Sequence, residues 1–289
     1  PMARNAAVRG DRVLAFDIDP KSIAEVAGPD IDGAASVADV ARGCELVLVM
    51  VWDDAALREV VFGKQGILAA GGFRGCVVDL STTSVAIARE IGAALERSGA
   101  TFLDGAVIGG GVPAAKAGAS PIVLSGPRAA FDRYAAVLGR LGHCDFVGKQ
   151  GAAKTVKVIN NLLVGVVTAA NAEALSLGVA AGLDLPMMVE ALQESPAAST
   201  VLKSYMGRYI AEGRYGEGLI GHALMAKDLS LACELAQDVA HPAPFAEFGQ
   251  QMYLAFARSL GAGQQFPSAY DYYRRVHAAP TFPLLETRQ

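Results

Sequence analysis

The sequence predicts an α/β domain followed by an all-helical domain, and three observations lead to this fold class. Short apolar runs alternate with helical periodicity through the first half of the chain, which is typical of βαβ units around a parallel sheet. A long, largely apolar helix is predicted from Ala152 to about Ala181. Beyond Pro186 only helical periods occur. We therefore expect a first domain over residues 1–150 and a helical domain over residues 151–289.

The predicted strands of the first domain are short runs rich in Val, Leu and Ile. They are residues 12–16, 45–51, 76–80, 101–103 and 122–124. Helical spacing lies between them at 20–26, 55–61 and 84–98. The last of these helices follows a run of Ser and Thr from Ser81 to Ser84, whose hydroxyls can cap free helix N–H groups.

The predicted helices of the second domain begin with the long apolar one. Its end is marked by Gly182 and by Pro186 just beyond, a sequence that stops a helix. Further helical periods cover residues 187–194, 224–239 and 245–260. The long helix is apolar around most of its circumference, so we expect it to be buried along much of its length.

Composition favours a folded protein that acts on small molecules. Apolar residues make up 52% of the 289 residues and charged residues 19%, and the formal net charge is −4. A nucleic-acid surface needs a basic excess to neutralise phosphates, and this chain has none. We therefore expect no nucleic-acid partner.

The sequence predicts a cytoplasmic location. The four cysteines lie far apart without a C-x-x-C pair, as expected for thiols in a reducing compartment. The longest apolar stretch, 161–177, contains Asn171 and Glu173 and is shorter than the roughly 20 residues of a membrane span. The first residues carry charges where a signal peptide would be apolar. We expect no membrane partner.

The start of the chain resembles a Rossmann-like domain that lacks its first strand. The strand 12–16 leads into Asp17, where such folds bind the ribose hydroxyls, about 20 residues after a glycine loop. That loop would fall before Pro1, so we expect the natural protein to begin earlier, with a central strand and the loop. Without that strand the sheet would be left in two halves with unpaired edges. The alternative is a divergent start.

The strongest local signal is the segment from Gly151 to Asn161. Lys157 and Asn161 are four residues apart on one helix, so they project from the same face. An apolar surrounding disfavours the charged amine, which would lower the pKa of Lys157 toward a value useful for proton transfer. The alternative, which spacing alone favours, is that Lys154 and Lys157 extend to solvent.

Two further segments lie at predicted strand ends. The loop from Asp104 to Pro113 contains three successive glycines, whose backbone N–H groups can approach a carboxylate closely. A flexible turn is the alternative. Thr82 follows the strand 76–80 at the carboxyl edge of the sheet, where open α/β folds bind ligands. Taken alone, Thr82 could equally be a helix cap.

Five short segments, taken together, are similar to one enzyme family. They are Pro1-Met2-Ala3-Arg4-Asn5, Val78-Asp79-Leu80-Ser81-Thr82, the loop Asp104 to Gly110, the helix start Gly151 to Asn161, and Lys227-Asp228-Leu229. Their order and spacing resemble the β-hydroxyacid dehydrogenase family, which includes 3-hydroxyisobutyrate dehydrogenases and tartronate semialdehyde reductases. The segments span nearly the whole chain, so the resemblance is specific although each segment is weak by itself.

The resemblance implies a fold and a reaction. The fold is a Rossmann-like domain, a long interdomain helix and a helical C-terminal domain like that of 6-phosphogluconate dehydrogenase, with the active site in the cleft between domains. The reaction is nicotinamide-linked oxidation of a small 3-hydroxy acid, or reduction of its semialdehyde. The resemblance also implies that Lys157 is the catalytic acid/base and that Asn161 orients the substrate.

The cofactor residues also follow from the resemblance. Val51, Trp52 and Thr82 would lie against the nicotinamide half, and Lys227 would reach in from the helical domain. Asp17 favours NAD over NADP, because a carboxylate accepts hydrogen bonds from ribose hydroxyls and repels a 2′-phosphate. Relatives commonly pair through their helical domains, so a homodimer or homotetramer is expected.

The sequence departs from the family in the expected substrate loop and after one strand. The resemblance places the substrate carboxylate against Gly109 and Gly110, but Ile108 stands where the family has a serine, and Ala106 replaces a proline. An apolar Ile108 removes a polar contact, so the acid is expected to be unusual or bulkier. Trp52 stands where a proline is common; it could pack or cover the nicotinamide.

Three other functions are alternatives to the dehydrogenase. Imine reductases share the architecture but usually place an aspartate or tyrosine where Lys157 stands. A non-catalytic NAD-binding scaffold would not need a proton donor, so the presence of Lys157 and Asn161 argues against it. The four histidines show no metal-ligand spacing and are expected at the surface or at helix ends, which makes a metal-dependent hydrolase a distant third.

Overall fold

A computed structural model describes residues 1–7, 11–218 and 220–278. The chain divides into two compact units, Pro1–Asn160 and Asn161–Gln289. The sequence-based division at residue 150 precedes the long helix, whereas the contacts group the first turns of that helix with the first unit. The end of the predicted helical domain, 279–289, lies outside the described residues.

The first unit alternates strands and helices. Its strands are β1 (Val13–Ala15), β2 (Ile31–Gly33), β3 (Leu46–Val49), β4 (Cys76–Asp79), β5 (Thr101–Val107), β6 (Ser120–Ser125) and β7 (Gly142–Gly148). Its helices are α1 (Met2–Ala6), α2 (Pro20–Val26), α3 (Val37–Gly43), α4 (Asp54–Phe62), α5 (Val85–Ser98), α6 (Gly111–Ala117) and α7 (Arg128–Leu138), with a 3₁₀ turn at Leu68–Ala70. The long helix α8 (Ala152–Ala180) begins in this unit.

The main sheet has five strands in the order β3-β4-β5-β6-β7. All neighbours are parallel except β5 and β6, which are antiparallel with Asp104 opposite Ser125 and Val107 opposite Ile122. The expectation of an α/β fold around a parallel sheet is confirmed, and one pair of neighbours in this sheet is antiparallel. Between these two strands the chain passes through Gly110 and Gly111, which both have positive φ, and through the helix α6.

The remaining two strands form a separate sheet. β1 pairs with β2 in parallel, from Val13 opposite Ile31 to Ala15 opposite Gly33. In the described part of the chain β1 and β3 belong to different sheets. This division agrees with the predicted arrangement in two halves.

In the first unit, no predicted strand or α-helix corresponds to β2, β7, α3, α6 or α7. β2 has only three residues, so it carries too little periodicity to be distinguished from a loop. β7 reads Gly-His-Cys-Asp-Phe-Val-Gly and lies at the edge of the sheet, where polar residues are tolerated. Strands of this kind are specified by their neighbours rather than by their own pattern.

The predicted cap of α5 is confirmed at Ser84. Its hydroxyl accepts a hydrogen bond from the backbone N–H of Ile87, and Gly99 ends the helix in the left-handed conformation. One face of α5 is apolar, and it buries Ile91 and Leu95 with Val77 of β4. The strand β4 is buried along its whole length, which explains its continuous apolar run.

The second unit is helical. It contains most of α8, then α9 (Leu185–Gln193), a π-helical segment (Val201–Met206), α10 (Gly207–Ala211), α11 (His222–Asp238), α12 (Pro244–Leu260) and α13 (Ser268–Ala278). Its core is built around Tyr253, Phe256 and Phe266. The hydroxyl of Tyr253 donates to the Gly165 carbonyl at 3.1 Å, which joins α12 to α8.

The long helix is confirmed near its predicted bounds. It is longer than the apolar stretch 161–177, which was judged too short for a membrane span. In the described residues α8 has 29 residues and a mean hydropathy of 1.7 over its most apolar window, enough to span a bilayer by length and composition alone. The interruptions at Asn171 and Glu173 therefore do not shorten the helix. The expectation that this helix is buried along much of its length is wrong, because only 28% of that window is buried in the described residues.

Candidate active site

Residues after β3 and β4 meet at the carboxyl edge of the main sheet. The backbone N–H of Val51 donates to the hydroxyl of Ser81 at 2.8 Å, so the segment with Trp52 and the segment with Thr82 are neighbours. Open α/β folds bind their ligands at this edge. Three of the predicted cofactor residues are thus brought together in the first unit.

Two large apolar side chains are exposed at this edge. The side chains of Met50 and Trp52 are 57% and 66% exposed, although both are large and apolar. Apolar side chains exposed side by side at a strand edge offer a surface for a planar ring. Thr82 is half-buried and adds a hydroxyl beside them.

Asp17 lies in a different part of the first unit. It follows β1, is exposed, and accepts a hydrogen bond from the backbone N–H of Asp19 at 2.8 Å. Asp19 in turn caps α2 by accepting from Lys21. The Asp17 carboxylate is therefore held by its own loop just after the end of β1.

Helix α8 is anchored at its first turn by a buried carboxylate and a hydroxyl. Asp104 of β5 accepts from the backbone N–H of Gly151 at 2.8 Å and from the Ser125 hydroxyl at 2.7 Å. Ser125 in turn accepts from the N–H of Ala153 at 2.8 Å. A carboxylate stabilises the N-terminal end of a helix, where N–H groups lack helical partners.

The two lysines of the α8 motif differ in their surroundings. Lys154 is fully buried and its ammonium lies 2.8 Å from the carboxylate of Asp79. Lys157 is half-buried and donates to the Val107 carbonyl at 2.8 Å. The alternative that both lysines extend to solvent is therefore wrong. The sequence offered only spacing, and spacing cannot identify a carboxylate that comes from another strand.

The glycine loop between β5 and α6 is short. Val107 ends β5, and α6 starts at Gly111 with Gly110 as its N-cap. Gly110 has a φ of +79°, and a Cβ there would lie 2.3 Å from that of Ala114. The backbone therefore requires glycine at this position for steric reasons, whatever else the loop binds.

Ile108 begins this loop and is half-buried. Its backbone N–H donates to the Pro121 carbonyl at 2.9 Å, so the residue is fixed to β6. Its side chain packs against an apolar cluster that contains Ala106, Val123 and Ala153. Gly109 follows it, also half-buried.

In the second unit Asn161 and Lys227 both contact the carboxylate of Asp228, a residue for which the sequence predicted no role. The amide Nδ2 of Asn161 donates to Asp228 Oδ2 at 2.7 Å, and the Lys227 ammonium is 3.0 Å from Asp228 Oδ1. Asp228 is buried, with 6% of its side chain exposed. Its position next to Lys227 in a conspicuous motif was the signal that could have identified it.

His222 lies at a helix end, as expected. His222 begins α11 but is fully buried, and its Nε2 lies 2.8 Å from the Ser268 hydroxyl. Burial lowers the pKa of His222 to about 4. Within the three described ranges, no cluster of three His, Cys, Asp or Glu side chains could hold a metal ion.

Two family models match the two units. The NAD binding domain of 6-phosphogluconate dehydrogenase matches residues 1–148, and the NAD-binding domain of NADP-dependent 3-hydroxyisobutyrate dehydrogenase matches residues 151–273. Fold and sequence thus define a nicotinamide-dependent oxidoreductase that acts on a CH–OH group.

Known relatives give the family. A 3-hydroxyisobutyrate dehydrogenase of Pseudomonas aeruginosa is 32% identical over 283 residues, which cover 95% of this chain and 94% of the relative. The crystal structure of a 3-hydroxyisobutyrate dehydrogenase from Salmonella typhimurium has a TM-score of 0.80 and 28% identity, with 94% of each chain covered. The chain belongs to the β-hydroxyacid dehydrogenase family, as its sequence motifs predicted.

The imine reductases are less similar. An imine reductase from Streptomyces aurantiacus has a TM-score of 0.61 and 20% identity, with 94% of each chain covered. At this identity the likeness concerns the fold alone. The dehydrogenase interpretation fits the comparisons better.

Proposed function

We propose that this protein oxidises a small 3-hydroxy acid to its semialdehyde with NAD, and that Lys157 is the general acid/base. One observation carries the assignment of Lys157. Its amine is held at the Val107 carbonyl, at the end of the strand that leads into the glycine loop, and it remains half-buried rather than sealed. A proton carrier must be fixed in place and still reach its substrate.

In this mechanism the substrate hydroxyl donates a hydrogen bond to the neutral amine of Lys157. The amine accepts the hydroxyl proton as the C–H bond breaks, and the bound nicotinamide supplies the hydride acceptor. In the reverse direction the ammonium polarises the aldehyde oxygen and returns the proton. Acid/base assistance of this kind contributes about 10²- to 10⁴-fold to the rate.

Asn161 is proposed to orient the substrate. Its amide nitrogen is engaged with Asp228, so the amide oxygen is turned away from that carboxylate and can accept a hydrogen bond. Lys227 is proposed to contact the cofactor. Its ammonium is fixed beside the same carboxylate, which limits its freedom.

The substrate carboxylate is proposed to bind at Gly109 and Gly110. Ile108 supplies an apolar wall in this proposal, since its side chain belongs to the cluster with Ala106 and Val123. An apolar wall favours an acid with a larger apolar substituent at the carbon next to the carboxylate.

The cofactor is proposed to be NAD. Asp17 would accept hydrogen bonds from the ribose hydroxyls and would repel a 2′-phosphate. Val51, Trp52 and Thr82 would line the nicotinamide half, with the exposed indole of Trp52 as its apolar cover.

The remaining assignments concern assembly and location. We propose a cytoplasmic homodimer or homotetramer with residues 151–289 as the substrate and oligomerisation domain, and without a nucleic-acid or membrane partner. Apolar side chains on α8 support an interface between subunits, because Leu163 and Leu177 are 60% and 69% exposed in the single chain.

The test is NAD- and NADP-linked oxidation of a panel of acids by the purified protein. The panel contains serine, 3-hydroxyisobutyrate, glycerate, threonate and phenylserine. Lys157→Ala should lower kcat by about 10²- to 10⁴-fold on the acid that the wild type oxidises, with NAD affinity unchanged. Lys149→Ala, at an exposed lysine nearby, is the matched control and should keep full turnover.

Two outcomes would reject the proposal. Unchanged turnover in Lys157→Ala would exclude this lysine as the proton carrier. Absence of turnover across the panel with NADH still bound would favour imine reduction, which cyclic imines with NADPH would reveal, or a non-catalytic NAD-binding scaffold.

A further inference from the structure

The most unusual side chain outside the proposed chemistry is Lys154. It is fully buried, and its ammonium bonds to three other parts of the first unit. The distances are 2.8 Å to the carboxylate of Asp79, 2.6 Å to the Ser81 carbonyl and 2.8 Å to the Gly105 carbonyl. An ammonium has three hydrogens, so each of these acceptors can receive one of them.

Two buried carboxylates lie close to Lys154. Asp79 and Asp104 lie opposite each other on β4 and β5, and both are fully buried. Asp104 is satisfied by the N–H of Gly151 and by the Ser125 hydroxyl. Among charged groups, Asp79 has Lys154 as its close partner, so removal of the lysine leaves an unpaired buried carboxylate.

The three acceptors belong to segments with different proposed roles. Ser81 precedes Thr82, and its hydroxyl also holds the N–H of Val51, so it belongs to the cofactor edge. Gly105 lies in β5, two residues before the carbonyl that receives Lys157. Lys154 itself is one helical turn before Lys157 on α8. The Lys154 ammonium therefore links the end of β4 and the strand β5 to the helix that carries Lys157.

We propose that Lys154 is a positioning residue, which fixes the distance between the strand end that carries Thr82 and the helix that carries Lys157. The proposal rests on the proposed function, in which Lys157 carries the proton. A buried ion pair is seldom more stable than well-packed apolar side chains of the same volume. Directional bonds to two strand ends give a lysine here a role that an apolar residue cannot fill.

The experiment separates positioning from stability with a pair of variants. Lys154→Met alone leaves the Asp79 carboxylate unpaired and is expected to lower Tm strongly. The double variant Lys154→Met with Asp79→Asn removes both charges, and its Tm should return close to that of the wild type. Methionine donates no hydrogen bond, so the links to Ser81 and Gly105 remain broken in both.

The readouts for the double variant are kcat, KM and amide hydrogen exchange. We expect kcat to fall by about ten- to a hundredfold with little change in the KM for the acid, because a misplaced proton carrier affects the chemical step. In the absence of cofactor, amide hydrogen exchange in the peptides that contain residues 80–83 and 105–108 should be faster in the double variant than in the wild type. Lys149→Met, at an exposed lysine, is the control for loss of a positive charge and should match the wild type in all three.

Each outcome has a definite meaning. A double variant with wild-type kcat and wild-type exchange would overturn the positioning role. A double variant with recovered Tm, low kcat and fast exchange supports it. If the wild type oxidises no acid in the panel, the proposed function fails, and the exchange rates still decide whether Lys154 holds the two strand ends.

Discussion

Asn161 and Asp228 are joined by a hydrogen bond of 2.7 Å between the amide nitrogen and a carboxylate oxygen inside the helical unit. A carboxylate only accepts, so the bond determines that the NH₂ group of Asn161 faces Asp228 and that its oxygen faces away. The other carboxylate oxygen lies 3.0 Å from the Lys227 ammonium. Asp228 thus sets the orientation of both side chains.

Replacement of Asp228 by Asn should therefore reduce activity through Asn161. A neutral amide can turn its own NH₂ group toward Asn161, which would then have to invert. We expect kcat/KM to fall by about tenfold or more, together with a loss of about 1–3 kcal/mol of stability from the weakened buried bonds. Steady-state kinetics and urea titration measure the two effects.

The matched control is Asp271→Asn in the same unit. Asp271 is also buried, and it pairs with Arg274 and Arg275 on the last described helix. Its replacement should lower stability and leave kcat/KM unchanged. If both variants lose activity in proportion to stability, Asp228 has no specific role in orienting Asn161.

His222 should make the stability of the helical unit depend on pH. Burial lowers its pKa to about 4 from an ordinary value near 6.5, so the unfolded state binds a proton first on acidification. The contribution of His222 is complete above about pH 6.5 and is lost as the pH falls toward 4. It amounts to roughly 3 kcal/mol at most.

The comparison is with His222→Gln. The difference in unfolding free energy between wild type and variant should narrow as the pH falls from 7 to 4, because glutamine does not titrate. His241→Gln, at an exposed histidine, is the control. A constant difference between wild type and His222→Gln over this range would show that burial of His222 is not coupled to its protonation.

Asp17 should control the choice between cofactors. Replacing it with serine removes the charge that repels a 2′-phosphate, so the ratio of kcat/KM for NADP to that for NAD should rise by about tenfold or more. Asp19→Ser is the matched control, since Asp19 is a nearby exposed aspartate that caps α2 and serine also caps helices. An equal shift in both variants would indicate a general charge effect.

Ile108 should control the choice between acids. Ile108→Ser restores a hydroxyl at the start of the substrate loop, and one neutral hydrogen bond is worth about 0.5–1.5 kcal/mol. We expect kcat/KM for small polar acids such as serine to rise by up to about tenfold relative to that for phenylserine. Substitution of Val123, which belongs to the same apolar cluster, by alanine tests whether a change of packing alone has this effect.

Patterns with many residues could be read from the sequence. The capped helix α5 and the long helix α8 have lengths over which periodicity is unambiguous, and β4 was predicted from its apolar residues and the turn residues that follow them. The strand β6 was predicted, but its antiparallel direction could not be, because its own sequence is as apolar as that of a parallel strand. The direction depends on how the chain returns through the glycine loop and α6, and a glycine run is compatible with many turns.

Residues of the proposed site could be predicted where a single helix or strand determines their position. Lys157 and Asn161 stand out from their spacing on a helix, and Thr82 from its place after a strand. Lys154 and Asp228 were not assigned roles, because each is defined by a partner far away in the sequence. A single sequence does not state which carboxylate meets which amine.

The burial of Lys154 has a consequence for chemical labelling of the folded protein. Reagents that acylate or reductively methylate amines require solvent access, and the Lys154 ammonium has none, whereas Lys157 is half-buried. Mass spectrometry of labelled peptides can separate the two lysines although they are only three residues apart. The fraction of Lys154 that is modified would then report the fraction of molecules in which the first unit has opened. The rate of its modification would report the rate of that opening.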